Sequence, residues 1–389
     1  MQKKYYKFIL YFLIGSTIFL FTVFSNMIEL FLNKTYIKKQ VKVAPGIHDF
    51  HQKLFIADLH ADSLLWDRDL TERSSLGQLD LPRLLEGNVA FEAFMIVTRV
   101  SFNMNLNKSK DRGNLISLLH IAQWQQPKTW FNNFNKAISK IKDLKTYAQN
   151  SHGRLRLVYN KKDLEDVINY RRFNKGVVAG IVGLEGLYPL EENLGYFELL
   201  YEAGVRMMAL THFQDTIFAG SGQGEKKGGL TEQGKKLIEK IKSKKLIIDL
   251  AHLSQKATLD ILAMVKKPVV VSHTGVQGTC ESPRNLSDKV IKKIAKNGGV
   301  IGISFFKYAI CGSSLKHIVK AISYVRDLVG INHIALGSDF DGAVKNVFAV
   351  NQMVYLTEAL LKSKKTKFSK MDIAKIMGKN TLRVLRENL

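Results

Sequence analysis

Short apolar runs that end on an ionisable residue recur along this chain. The first is Phe55-Ile56-Ala57-Asp58-Leu59-His60-Ala61-Asp62. Residues two apart in a strand project to one face, so Asp58, His60 and Asp62 are expected to point the same way. Residues 89–97 form a second strand candidate, and residues 176–185 a third that ends on Glu185. Residues 205–210 lead into Thr211-His212, 246–252 end on His252, and 268–273 end on His273. Residues 299–305 end without a ligand, and 333–339 end on Asp339. Helical periodicity fills the gaps over 194–202, 231–244, 254–265, 287–296, 315–329 and 371–387. A short helix is expected at 79–85, with Asp80 as cap and Pro82 in its first turn.

Strict alternation of strands and helices predicts a parallel sheet, and eight such units predict a closed TIM-type (β/α)8 barrel. Active sites of these barrels lie at the C-terminal ends of the strands. His60, Asp62, Glu185, His212, His252, His273 and Asp339 all fall there. Residues 101–175 break the rhythm and read as a helical insertion without a ligand constellation. The glycine-rich stretch 219–229 lacks the Gly-Lys-Ser/Thr ending of a phosphate-binding loop and reads as a flexible loop.

The N-terminus follows another pattern. Lys3, Lys4 and Lys7 precede residues 8–25, which are uncharged and almost wholly apolar. That length is just enough to cross a bilayer. No small-residue cleavage site follows, so an uncleaved transmembrane anchor is preferred over a signal peptide. Lysines flank both ends (Lys34, Lys38, Lys39 and Lys42 come after), so charge does not fix the orientation. A short tail before a long body predicts that the body is exported, to the periplasmic or extracellular side. The expected organisation is an anchor over 1–33, a basic linker over 34–50, and a barrel domain over 51–389.

Composition narrows the classes further. Hydrophobic residues make up 46% of the chain, ample for a large core. The net charge of +24 comes from scattered lysines with no nucleic-acid-binding motif. A solvated basic surface is therefore expected, without a nucleic-acid partner. Cys280 and Cys311 cannot make a disulfide framework, and no CxxC pair exists.

Of ten histidines, His60, His212, His252 and His273 end strands. His333 begins one, and His48, His51, His120, His152 and His317 read as surface residues. Ionisable groups gathered at one barrel end repel or desolvate one another unless a metal organises them. His60, Asp62, Glu185, His252 and His273 are too many for one catalytic zinc, which takes three protein ligands and a water. Two metals sharing Glu185 would use all five, and would deprotonate a water for attack on an electrophilic carbon.

The motifs Asp58-Leu59-His60-Ala61-Asp62, Gly183-Leu184-Glu185-Gly186, Leu210-Thr211-His212 and Gly229-Leu230-Thr231-Glu232-Gln233-Gly234 come in a telling order. Ile248-Asp249-Leu250-Ala251-His252, Ser272-His273, Ser282-Pro283-Arg284-Asn285-Leu286 and Gly337-Ser338-Asp339-Phe340-Asp341-Gly342 follow. Together they resemble the membrane (renal) dipeptidase family, peptidase family M19, over residues 52–389 apart from the insertion. The resemblance implies two zinc ions, one on His60 and Asp62, the other on His252 and His273, with Glu185 bridging. It implies that His212 contacts substrate and stabilises the tetrahedral intermediate, that Arg284 binds the terminal carboxylate, and that Asp339 serves as base and then acid. Asp341 is expected to hold a turn. The implied activity is hydrolysis of dipeptides, with a D-residue often tolerated at the C-terminal position and beta-lactam opening in some members. Phe213-Gln214 and residues 101–175 depart from the family pattern and leave the substrate preference open. The alternatives are another amidohydrolase of the same barrel, acting on an N-acyl amino acid or a lactone, and a non-catalytic tethered binding protein. A homodimer is an open option.

Overall fold

The computed structural model describes residues 2–37 and 42–389, without the side chains of residues 2, 3, 8, 10, 13, 14 and 17–22. Residues 38–41 of the expected linker lie outside the described residues. The strands are β1 (Ile56–Ala61), β2 (Val89–Val97), β3 (Leu155–Leu157), β4 (Val178–Glu185), β5 (Val205–Ala209), β6 (Ile247–Asp249), β7 (Val270–Thr274), β8 (Val300–Ile303) and β9 (Ile334–Leu336). All pair in parallel, and eight of them close a ring in the order β1-β2-β4-β5-β6-β7-β8-β9. The β2–β4 pairing runs in unbroken register from Phe91↔Ala179 to Val97↔Glu185. The expected eight strands are these eight. The ninth, β3, comes from the insertion and pairs with β4 at Val178–Gly180. Three residues, Leu-Arg-Leu, carry too little pattern to announce a strand.

Strand alternation sorts the apolar residues into two layers. One face packs Val182, Ile248, Val271, Ile301 and Leu336 against the helices, for example Leu237, Ile238 and Ile241 of Glu232–Ser243. The other face fills the barrel with Leu59, Phe91, Met95, Ile181, Met207, Ile247, Val270 and Val300. Leu382 and Leu385 of the last helix join that inner cluster. The predicted caps are present: Asp80 accepts from the Arg83 amide, Thr231 from Gly234 and Ser254 from Ala257. The stretch 371–387, expected as one or two helices, consists of Lys370–Ala374, a π-helical turn Lys375–Lys379, and Asn380–Asn388. The cause of the turn is Gly378, which packs so closely on β1 that a Cβ there would lie 2.2 Å from the Phe55 carbonyl oxygen.

Two histidines expected at the surface are buried. His51 lies in a helix, Pro45–Gln52, that shortens the expected linker. Its ring bridges Thr357 Oγ1 (2.8 Å) and the Gly87 carbonyl (3.2 Å), and burial lowers its pKa to about 4. His120 pairs with Thr129 Oγ1 at 3.0 Å, and burial lowers its pKa to about 3. Both rings are neutral and satisfied, which is how a core tolerates an imidazole.

The N-terminal helix, Gln2–Leu32, runs beyond the apolar stretch 8–25. Among the described residues no helix is long and apolar enough to cross a membrane. Many side chains of the expected span, 8–25, lie outside the described residues. The last turns dock on the barrel through a polar stripe, with Ser25, Glu29 and Asn33 buried. Glu29 Oε1 lies 2.6 Å from Arg68 Nε, and Arg68 Nη2 lies 2.6 Å from Asp341 Oδ2. The chain then continues along the rim, with the Tyr36 and Ile37 amides donating to the Asn346 and Val347 carbonyls. The opposite face of the same turns presents Phe24, Met27, Leu30 and Phe31 outward.

Candidate metal centre

β1 carries His60 one residue before its end, with Asp62 just beyond it; β4 ends on Glu185, and β7 carries His273. His212 and His252 follow β5 and β6, and Asp339 follows β9. The barrel gathers all seven at one end. Glu185 Oε1 lies 3.0 Å from His252 Nε2, 3.3 Å from His273 Nε2 and 3.6 Å from His60 Nε2. His60 Nε2 is also 3.5 Å from Asp62 Oδ2 and 4.0 Å from Asp339 Oδ1. His212 Nε2 sits 3.6 Å from the other Glu185 oxygen. His60, Glu185 and His273 therefore form one potential ligand group, Glu185, His212 and His252 a second, and His60, Asp62 and Asp339 a third.

The donor atoms themselves fit a metal. His60 Nε2, Asp62 Oδ1 and Glu185 Oε1 are buried without a hydrogen-bond partner. Buried polar atoms are rarely left so, and the exceptions call for a reason. Donors about 3.3 Å apart suit a tetrahedral ion with bonds of about 2.1 Å. Electrostatics agree. Burial and the neighbouring carboxylates of Asp62 and Asp339 push the Glu185 carboxyl well above the usual range. Burial pushes Asp339 up to about 7. Burial holds His212, His252 and His273 well below the usual imidazole value. At His60 burial opposes protonation, but Glu185, Asp62 and Asp339 outweigh it and raise the pKa to about 10. The carboxylates that raise His60 in this way would favour a bound cation at the same place.

Second partners fix the rings. Ser272 Oγ lies 3.0 Å from His60 Nδ1 and 3.0 Å from His273 Nδ1. With both Nδ1 atoms protonated and donating to that one oxygen, both Nε2 atoms turn their lone pairs to the centre. Gln223 Oε1, 2.9 Å from His252 Nδ1, does the same for the third ring. Gln223 lies in the glycine-rich stretch expected to be flexible. The structure corrects that expectation for the first part of the stretch: Ala219–Gly224 is buried, and the Gly222 amide donates to the His252 carbonyl. β8 and β9 approach Ser272 closely, since a Cβ on Gly302 or Gly337 would lie 2.1 or 1.8 Å from its carbonyl oxygen. Replacing Ser272 by Ala should lower zinc retention during dialysis by about 10–100-fold in affinity while the barrel stays folded. Metal analysis against circular dichroism reads this, and an unchanged affinity would remove Ser272 from the arrangement.

Asp58 does not join its neighbours. Its Oδ1 accepts from the Ser338 amide (2.8 Å), and Asp249 Oδ1 likewise accepts from Ser272 (2.8 Å) and Ala251 (3.0 Å). Each carboxylate replaces a sheet hydrogen bond where the strands part to present their ligands. His252 and Asp339 sit in left-handed backbone, at φ 63° and 61°, a strained state held where function needs a side chain aimed. Arg284 is buried on the loop after β7, and its Nη2 donates to the His273 carbonyl at 2.7 Å. Asp341 accepts from Ser63 Oγ (2.6 Å) and from Arg68, which makes it a rim support. Cys280 and Cys311 are joined as a disulfide beside the Arg284 loop.

Comparison with known proteins agrees with this geometry. A dipeptidase of Clonostachys rogersoniana, verJ, is 28% identical over 259 residues, which is 66% of this chain and 66% of that protein. A dipeptidase of Claviceps purpurea, tcpJ, is 25% identical over 82% of this chain and 72% of its own length. Among solved structures, the probable dipeptidase PvdM of Pseudomonas aeruginosa superposes with a TM-score of 0.72 at 20% identity, covering 88% of this chain and 97% of that one. A metallopeptidase of Rhodobacter sphaeroides, bound to a phosphinate mimic of the dipeptide L-Ala-D-Ala, gives 0.70 at 21%, covering 86% and 99%. The profile of the membrane dipeptidase family, peptidase family M19, matches residues 45–388, and this chain belongs to that family.

Proposed function

We propose that this chain is a metallo-dipeptidase that holds two zinc ions at the barrel mouth. The observation that carries the reading is the convergence of three imidazole Nε2 atoms on one oxygen of Glu185, with a buried arginine beside them. His60 and Asp62 would hold one ion, His252 and His273 the other, and Glu185 both. The pair would supply a Lewis acid for the scissile carbonyl and a water of lowered pKa as nucleophile. Asp339 takes the proton of the attacking water and returns it to the leaving amine. His212, next to Glu185 Oε2, donates to the oxyanion that forms at the carbonyl oxygen. Arg284 clamps the terminal carboxylate with its planar fork.

The test is zinc content together with hydrolysis of a dipeptide and tripeptide panel by the full chain in detergent. Near two zinc per chain, with chelator-sensitive cleavage of dipeptides only, is expected. Arg284→Ala should raise KM for dipeptides by about 10–100-fold, the worth of a charged hydrogen bond, and Arg284→Lys should restore part of it. Unchanged KM in the Ala variant would move the assignment to an N-acyl amino acid or lactone hydrolase.

We also propose that the protein sits on a membrane, with its catalytic body exported. The uncharged stretch 8–25 supports it. So does the inverted polarity of the docked turns, which bury Glu29 and turn Phe24, Met27, Leu30 and Phe31 outward. A helix facing water shows the opposite arrangement. The Cys280–Cys311 disulfide suits an oxidising compartment. Sedimentation with membranes that resists alkaline carbonate is the expected result, and release by carbonate would remove the anchor.

A further inference from the structure

An apolar wall stands beside the metal centre, and none of the roles above uses it. Val97 ends β2 in register with Glu185 on β4, so the two side chains point into the mouth from adjacent strands. Val97, Val100 and Ile116 form a small cluster separate from the main core, with Leu65 and Phe213 packed against it. The Phe213 ring lies 4.2 Å from that of His212 and 5.4 Å from that of His252. The wall therefore abuts the reacting centre. Asn114 holds its shape: the Val100 and Ile116 amides donate to Asn114 Oδ1, and Asn114 Nδ2 donates to the Thr98 carbonyl. Leu65 and Phe213 are half-buried and reach open space, while Val97, Val100 and Ile116, at 8%, 8% and 4% exposure, are the buried part of the wall.

Its position in the ring gives it a meaning. β2 and β7 lie diametrically opposite, four strands apart either way round. Arg284 belongs to the β7 side, with its guanidinium against the His273 carbonyl. A dipeptide with its carboxylate on Arg284 and its peptide carbonyl at Glu185 extends its N-terminal residue toward β2. From this geometry we infer that Leu65, Val97, Val100, Ile116 and Phe213 form the subsite for the N-terminal side chain, and that the subsite selects apolar residues. Two of these residues, Ile116 and Phe213, lie in the segments that depart from the family pattern, so the preference belongs to this chain.

The inference rests on the dipeptidase reading, and one experiment separates the two. The wild-type chain is assayed on Leu-Ala, Phe-Ala, Gly-Ala, Asp-Ala and Lys-Ala. The expected kcat/KM for Leu-Ala and Phe-Ala exceeds that for Asp-Ala and Lys-Ala by at least about 100-fold, because a charged side chain finds no partner on the wall. Ile116→Ala should lower the Leu-Ala to Gly-Ala ratio about tenfold, in line with the discrimination worth of a few methylenes. Ile116→Val, a gentler truncation, should lower it by less. Cleavage of all five substrates at similar kcat/KM, or a ratio unmoved by both variants, would overturn the subsite and leave the dipeptidase reading intact. No cleavage of any of the five would overturn the dipeptidase reading itself.

Discussion

Glu185→Gln should cost the protein its metal and its turnover together. One oxygen of Glu185 is within 3.6 Å of three imidazole nitrogens, and the other faces His212. An amide keeps one acceptor but replaces the second with an NH2 donor. Whichever way it turns, one shared contact becomes a donor aimed at donors or at a cation. Zinc content should fall to less than half of the wild-type value. Loss of the metal's contribution, several kcal/mol of transition-state stabilisation, corresponds to at least about 10³-fold in kcat. The fold should survive, because uncharged Gln removes the carboxylate that burial already disfavours. Atomic absorption, initial rates and thermal melting on one preparation read all three. Full zinc occupancy with near-normal kcat would show that Glu185 does not bridge.

Asp339→Asn should separate chemistry from metal binding. Asp339 follows β9, its amide donates to the His60 carbonyl at 3.1 Å, and its carboxylate oxygen stands 4.0 Å from His60 Nε2. Asn is isosteric and tolerates left-handed backbone, so the loop should hold its shape. Asn cannot accept the proton of the attacking water, and loss of a general acid–base group costs about 10²–10⁴-fold in kcat. Zinc content should stay at the wild-type level. Asp341 cannot substitute, since Ser63 Oγ, Arg68 Nη2 and the Gln78 amide already occupy its oxygens. A variant that kept its kcat would assign the proton transfer elsewhere.

The barrel and the gathering of site residues were legible because both rest on local pattern. Each strand announced itself by an apolar run, and six of the eight ran directly into a ligand-type residue, so the barrel rule carried the side chains to one rim. What the sequence hid is pairing across distance. Ser272 reads as a small residue before a histidine, and its service to two rings depends on β1 and β7 meeting in space. Gln223 sits among glycines, a composition that argues for mobility, yet the loop is buried by its contact with His252. Glu92 passes for an ordinary strand residue. It is fully buried beside Asp58, and burial drives its carboxyl well above the usual range. The burial of His51 and His120 is hidden for the same reason: a helical histidine does not reveal which face of its helix meets the core.

The ion-pair chain from the N-terminal helix to the rim decides where this protein can be cut. A version trimmed at residue 34 to make it water-soluble would discard Glu29 and leave the buried Arg68 with Asp341 as its remaining near carboxylate. Removing one partner of a buried pair costs about 3–5 kcal/mol. That loss would fall on the loop that carries Asp339. Secretion vectors and crystallisation trials are better served by a start between residues 22 and 25, which sheds most of the apolar stretch and keeps the strut.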